Sequence, residues 1–183
     1  MSEQRYPMAP LIRFTLVSLY FALVFPLPWL APSNLQPWLI GALPVGFLLV
    51  WALVSEEVSL NEAGLQVGYP RWCSWLLRRG WSLNWDQVKG LTPVATSQGG
   101  RVFYVRTEDG SAYLLPQRVQ AFEGFLGQFS QKTGLDTRSI GRISPPWTYQ
   151  LLAGLCLAML VFEVMVGWAL LSGRWELPAA TLS

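Results

Sequence analysis

The sequence predicts an α+β membrane protein in which three transmembrane helices carry one small β-rich domain closed by a single amphipathic helix. Three observations lead there. Residues 14–55 and, later, 143–162 carry no charged side chain; the charges concentrate between these stretches; and short β-rich runs alternate there with turn residues before one run of helical period. Composition agrees: of 183 residues, 52% are hydrophobic, 14% aromatic and 13% charged, which is too apolar for an ordinary soluble domain.

As one helix, the stretch 14–55 would run about 63 Å at ~1.5 Å per residue, about twice a hydrocarbon core of ~30 Å, so it must turn back. The turn is expected at Ala31-Pro32-Ser33-Asn34-Leu35-Gln36-Pro37, where two prolines lack amide donors and Ser33 and Asn34 favour turns. This divides an N-terminal unit, residues 1–55, into spans at about 14–30 and 38–54. Both are short for a bilayer, so flanking residues are expected to extend them. Trp29 and Trp38 flank the turn and mark one membrane face, with Tyr6 and Trp51 nearer the other, because indole favours the headgroup level. Pro26, Pro28 and Pro44 introduce kinks of the sort that neighbouring helices absorb in lipid. The apolar region is too long for a removable signal and lacks a small-x-small cleavage pattern.

Residues 56–142 form the predicted soluble domain, holding ten of the thirteen basic residues and eight of the eleven acidic ones. Strands are expected at 57–60, 65–69, 72–77, 81–85, 88–95, 102–107 and 112–115. Asp109-Gly110 supplies a tight turn between the arms of a hairpin, and Asn61-Glu62-Ala63-Gly64 supplies another turn. In 118–133, apolar residues fall at Val119, Phe122, Phe125, Leu126 and Phe129, a spacing of three and four that makes one helix face, and Gly134 is placed to end it. Antiparallel strands followed by one such helix suggest a small barrel or sandwich with the helix closing one end.

The last unit, 143–183, contains a third transmembrane helix at about 147–171 and a short tail. Trp147 and Tyr149 at its start and Trp168 and Trp175 at its end fit aromatic belts. Two crossings before the domain place the N-terminus and the domain on one side, and the third places the tail opposite. Twelve of the thirteen Lys and Arg residues then share the domain's side, which the positive-inside rule makes cytoplasmic, in a thylakoid or bacterial inner membrane.

Several chemistries start from a low expectation. The chain has no histidine, which removes the usual general base and the commonest metal ligand. Cys73 and Cys156 show no CxxC or related spacing, so neither metal nor disulfide is indicated, and no cofactor is expected. A net charge of +2 is too small to imply a nucleic acid partner. Asp86 has no clustered acid or histidine to work with and reads as a turn residue, and nothing marks Lys89 or Lys132 as buried. The chain reads as non-enzymatic.

The run Leu83-Asn84-Trp85-Asp86-Gln87-Val88-Lys89-Gly90-Leu91, preceded by Asn61-Glu62-Ala63-Gly64-Leu65-Gln66-Val67 and followed by a hairpin and terminal helix, resembles bacterial pleckstrin-homology-like (PH-like) domains. In these a strand beginning Gly-Leu and a later Trp-Asp-x-Val recur. The resemblance covers about residues 58–135 and implies a seven-stranded, strongly bent sheet capped by a C-terminal helix. Two spans ahead of such a domain are also similar to the photosystem assembly proteins of cyanobacteria and chloroplasts; the third span departs from them. Phosphoinositide-binding relatives use a basic loop between early strands, for which Arg71, Arg78 and Arg79 are the nearest pattern here.

Candidate sites carry competing readings. Trp72, Trp75, Leu76, Leu77, Arg78, Arg79 and Trp81 mix apolar and basic residues. They could bind a partner or an anionic membrane surface. The alternative, preferred for each apolar residue taken singly, is core of a β-hairpin, with Arg78 and Arg79 exposed at its turn beside Gly80. Gly154 and Ala158 give the third helix a small-x-x-x-small face for close helix approach. Glu163, the acid within that helix, is expected to snorkel to the far interface. The function these features suggest is a scaffold or assembly factor that binds subunits of a membrane complex, with photosystem proteins as the expected clients, beside the lipid bilayer. A lipid-headgroup-binding module is the second reading and a membrane enzyme the third.

Overall fold

The computed structural model describes residues 3–77, 80–97, 100–142 and 145–172. In chain order the elements are β1 (Gln4–Pro7), α1 (Pro10–Val24), α2 (Leu27–Leu30), α3 (Gln36–Leu53), β2 (Glu57–Leu60), β3 (Gly64–Gly68), β4 (Trp81–Asn84), β5 (Val88–Ala95), β6 (Arg101–Thr107), β7 (Ala112–Leu114), α4 (Phe122–Thr133) and α5 (Pro146–Leu171). Among the described residues, Pro10–Leu30, Gln36–Leu53 and Trp147–Leu171 are long and apolar enough to cross a membrane.

Each long apolar helix has proline in its first turn, where a missing amide costs nothing because first-turn amides have no intrahelical partner. The first therefore starts at Pro10 rather than at residue 14, and Arg13 lies inside it. Arg13 meets the end of α3: its Nε donates to the Val54 carbonyl at 3.4 Å, and its guanidinium lies 5.1 Å from the centre of the Trp51 ring. A cation suits a helix C-terminus and an indole face, so one arginine ties the start of α1 to the end of α3. Farther along, the Tyr20 hydroxyl donates to the Leu43 carbonyl at 2.5 Å, next to Pro44 inside α3. Gly46 makes room: a Cβ there would lie 2.7 Å from that hydroxyl oxygen.

α5 packs along α1. Thr15, fully buried, donates to the Leu11 carbonyl at 2.8 Å and approaches the Tyr149 carbonyl at 3.3 Å, and Ala22 and Cys156 are buried at 1% exposure each. Both helices begin at the domain, and the Thr15–Tyr149 contact lies near both starts. They run away from the domain together.

The strands form two antiparallel sheets, ordered β1-β2-β3-β4 and β5-β6-β7, so that of the barrel or sandwich expected from the sequence, no barrel is closed among the described residues. Residues 72–77, expected as a strand, are turns. Pro70 cannot donate to a ladder, and its carbonyl instead accepts from the amides of Cys73 and Ser74 at 3.1 and 3.0 Å. The strand that the sequence did not signal is β1, which precedes α1 and pairs with β2 in the register Gln4↔Leu60 through Pro7↔Glu57. The N-terminus is thus part of the domain's own sheet. The β6–β7 turn forms where Gly110 adopts a φ of +82° and Asp109 accepts from Thr107 and from the amide and hydroxyl of Ser111.

The domain core is contributed from both sheets and α4. Phe122, Phe125 and Phe129 have no exposed surface and pack with Val58, Leu65, Val105 and Leu115. Tyr6 of β1 meets Phe125 edge-on, with ring centres 5.6 Å apart. Trp85, in a single 3-10 turn Trp85–Gln87, meets Phe129 edge-on at 6.0 Å and donates its indole N–H to the Asn61 carbonyl at 2.9 Å. Asp86 in that turn is exposed. At the other end of the core, Met8, Ala9, Ile12 and Val54 form a smaller buried cluster that Tyr149 covers, joining domain and helices.

Removing a buried aromatic ring costs about 3–5 kcal/mol. Phe125→Ala is expected to lose that much in chemical denaturation. Tyr6→Ala is expected to destabilise the domain by at least half as much, although it lies outside residues 56–142. A Tyr6→Ala protein as stable as the native chain would show that β1 is an ornament on the sheet.

Candidate functional site

The apolar run between β3 and β4 is on the surface. Gly68 and Gly80 pinch its neck: a Cβ on Gly80 would stand 2.2 Å from the Val67 carbonyl oxygen and 2.8 Å from the Gly68 Cα. Above that neck, Cys73 is buried while Trp72, Trp75 and Leu76 are 50%, 79% and 53% exposed. The core reading of these three is therefore wrong, because the turn conformation gives them no sheet face to fill. Trp81, which follows, does pack against the core and lies 5.2 Å from the Tyr113 ring. Arg78 and Arg79 lie outside the described residues.

Gly154 and Ala158 do not serve the packing of α5 on α1. Both are exposed, and no heavy atom stands within 4 Å of where a Gly154 Cβ would be. Glu163 is half-buried, and its Oε2 is shielded without a hydrogen-bond partner. Trp72 and Trp75 lie in the turn between β3 and β4, and Gly154 and Ala158 on α5.

A site that the sequence did not suggest lies where the sheets meet the helices. A cleft of about 200 Å³ is lined by Met8, Glu56, Leu115, Gln117, Arg118 and Val119, among others. Its backbone is held by an isolated antiparallel bridge between Met8 and Val119 and by the Ala9 amide donating to the Arg118 carbonyl at 2.8 Å. Gln117 is buried and spans the floor, its amide donating to the carbonyls of Gly141 at 2.7 Å and Arg101 at 3.2 Å. Burial pushes the Glu56 carboxyl above its ordinary range, and the positive charge of Arg118 partly offsets this. Glu56 was inconspicuous in the sequence because it opens a charged stretch, and only the fold places it under cover. Among the described residues, no cluster of three or more Cys, Asp or Glu side chains could hold a metal ion.

The sequence matches no family model and no solved structure. It is 42% identical over 153 residues to the uncharacterized protein slr0269 of the cyanobacterium Synechocystis sp., a match covering 80% of this chain and 77% of that one. The chain belongs to the slr0269 family. The extent of that match exceeds what the domain alone could supply, so the slr0269 family shares helices as well as domain.

Glu56 generates a pH prediction. A carboxyl raised in the folded state binds its proton more tightly there than in the unfolded chain, so its contribution to stability is complete below the ordinary carboxylate range. That contribution is lost as pH rises through the raised value. The unfolding midpoint of the native chain is expected to fall across this window, and Glu56→Gln is expected to flatten the fall. Parallel pH curves for the two proteins would show that the cleft does not hold Glu56 as described.

Proposed function

We propose that this protein is a non-enzymatic, membrane-anchored scaffold or assembly factor: three helices span the bilayer beside client subunits, and the domain, of PH-like type, stands on the cytoplasmic face. The six antiparallel strands β2 to β7 followed by α4 support the PH-like reading, with β1, from ahead of α1, supplying a seventh strand among the described residues. The length and apolarity of the three helices support the spans, and the positive-inside bias supports the side. The client is a photosystem subunit or its assembly intermediate, and the membrane a thylakoid. A cyanobacterial relative and the resemblance of the domain and its preceding spans to photosystem assembly proteins support this step.

The observation that carries the reading is Glu163. In hydrocarbon, an enclosed carboxyl oxygen without a donor raises the energy of the isolated protein. A client helix bringing a hydroxyl, amide or cation removes that cost on association alone, which turns a liability of the free protein into affinity for the complex. Because Glu163 is only half-buried, rotation about its side-chain torsions can present the oxygen to an incoming helix. Gly154 and Ala158, uncovered on the same helix, let a neighbouring backbone come close. A second reading, recognition of a lipid headgroup, is favoured by the cleft of Glu56 and Arg118 beside the starts of α1 and α5.

Purification of the tagged chain in mild detergent is expected to recover stoichiometric membrane subunits; recovery of none would sink the scaffold reading. Interhelical hydrogen bonds are worth about 1 kcal/mol, so Glu163→Leu is expected to lower recovery severalfold. Gly154→Leu with Ala158→Leu is expected to lower it further. Recovery that survives these changes but is lost with Arg78→Ala and Arg79→Ala would move recognition to the domain. In sealed vesicles, an N-terminal tag and a label at Glu62 are expected to share one accessibility and a C-terminal tag the opposite one. Termini on the same side would rule out three spans.

A further inference from the structure

The sheet register determines where the exposed tryptophans stand. Pro7, which leads into α1, lies opposite Glu57, which follows α3, and Glu57 lies opposite Gly68. The chain continues from Gly68 into the turn of residues 71–77 and returns through Gly80 to Trp81, opposite Val67. That turn therefore leaves the sheet at the end from which the helices leave. The turn at Asn61 to Ala63 occupies the other end, since Leu60 pairs with Leu65.

Trp75 is 79% exposed, beside Trp72 and Leu76, while Cys73 behind them is buried and holds the turn to the protein. Several of the turn's donors are met locally: the amides of Leu76 and Leu77 donate to the Cys73 carbonyl at 3.0 and 3.2 Å, and the Trp75 indole N–H donates to the Trp72 carbonyl at 2.9 Å. Each donor met within the turn is one fewer to be stranded where water is scarce. Arg71 at its base is exposed and positive, suited to the headgroups of an anionic leaflet.

We propose that the turn 71–77 is a membrane-surface anchor, with Trp72, Trp75 and Leu76 seated in the headgroup layer of the leaflet from which α1 and α5 start. The occupant is lipid rather than a protein partner, because the register continues the turn into the same level as the helix starts, where Trp51 and Trp147 also lie. This goes beyond the scaffold reading and rests on its membrane spans.

The test uses the full chain reconstituted in pure lipid vesicles, with Cys73→Ala and Cys156→Ala removing the native thiols and an environment-sensitive label at Leu76→Cys, Glu62→Cys or Met159→Cys. Label 76 is expected to be quenched severalfold more than label 62 by spin-labelled lipid carrying its spin near the headgroup, and less by aqueous iodide. Label 159, at the middle of Trp147–Leu171, is expected to respond to a spin deep in the acyl chain. If label 159 responds and label 76 does not, the anchor is wrong and the spans stand; if label 159 fails as well, both fall. Protection of label 76 from iodide seen only in native membranes would give the patch to a protein partner and overturn the lipid assignment. Should the thiol-free chain not fold, Trp75→Ser in the native background is expected to lower the fraction of tryptophan emission quenched by brominated lipid. An unchanged fraction overturns the anchor.

Discussion

One row of strand register, Pro7 opposite Glu57 opposite Gly68, sets the position of everything else in this protein. Adjacent strands lie ~4.8 Å apart, so the chain enters α1 and returns from α3 at nearly the same point. The helical hairpin cannot then wander relative to the sheet, because both of its legs are rooted in neighbouring strands. The buried cluster of Met8, Ala9, Ile12 and Val54 fills the angle between the roots, and Tyr149 brings the third helix onto it. A four-residue strand thus does more for the architecture than its length suggests. It converts a tether into a joint.

Within the helices, most polar groups are consumed by the packing. Thr15 returns its hydroxyl to its own helix and sits against α5; Tyr20 satisfies a carbonyl beside Pro44; Arg13 neutralises the end of α3 while stacking on Trp51. These contacts join helix pairs, and in a bilayer, where water is absent, such groups would have no alternative partner. Among the described residues, Glu163 differs: its Oε2 is shielded yet has no hydrogen-bond partner, on a helix whose surface is otherwise largely bare. That contrast separates a polar group settled by packing from one that packing leaves unsatisfied.

Much of the fold was legible in the sequence. Spacing of three and four made the α4 face readable, because Phe122, Phe125 and Phe129 follow a helical period that no strand shares. Asp109-Gly110 announced a turn through local chemistry alone. β1 was not legible: Gln4, Arg5, Tyr6 and Pro7 hold one large buried side chain, too few residues for any period, and become a strand through their pairing with β2. The run 72–77 misled for the opposite reason. Its aromatic and aliphatic content suits a strand, but the hydrogen bonds to Pro70 and Cys73 wind it into turns, and the glycine neck at Gly68 and Gly80 lifts it off the sheet. Of the candidate site residues, the sequence singled out Trp72, Trp75, Gly154 and Ala158 by type. It could not indicate that all four face outward, because exposure is decided by what the rest of the chain covers.

The same joint has a consequence for how such a protein could read a neighbour. If the domain hung from flexible linkers, its surfaces would sample many heights and angles over the membrane, and each contact with a client would first have to order the linker. Here the links from Pro7 to Pro10 and from Leu53 to Glu57 are short, backbone-bonded and partly buried, with the Met8 amide donating to the Glu56 carbonyl at 3.3 Å and the Ser55 hydroxyl to the Trp51 carbonyl at 2.6 Å. On the scaffold reading proposed above, a partner of the helices would meet the domain at a fixed distance and rotation. Recognition would then be divided between two modest surfaces, one in the helices and one on the domain, since engaging the first would already place the second. Neither would need high affinity alone, provided that the joint between them remains stiff.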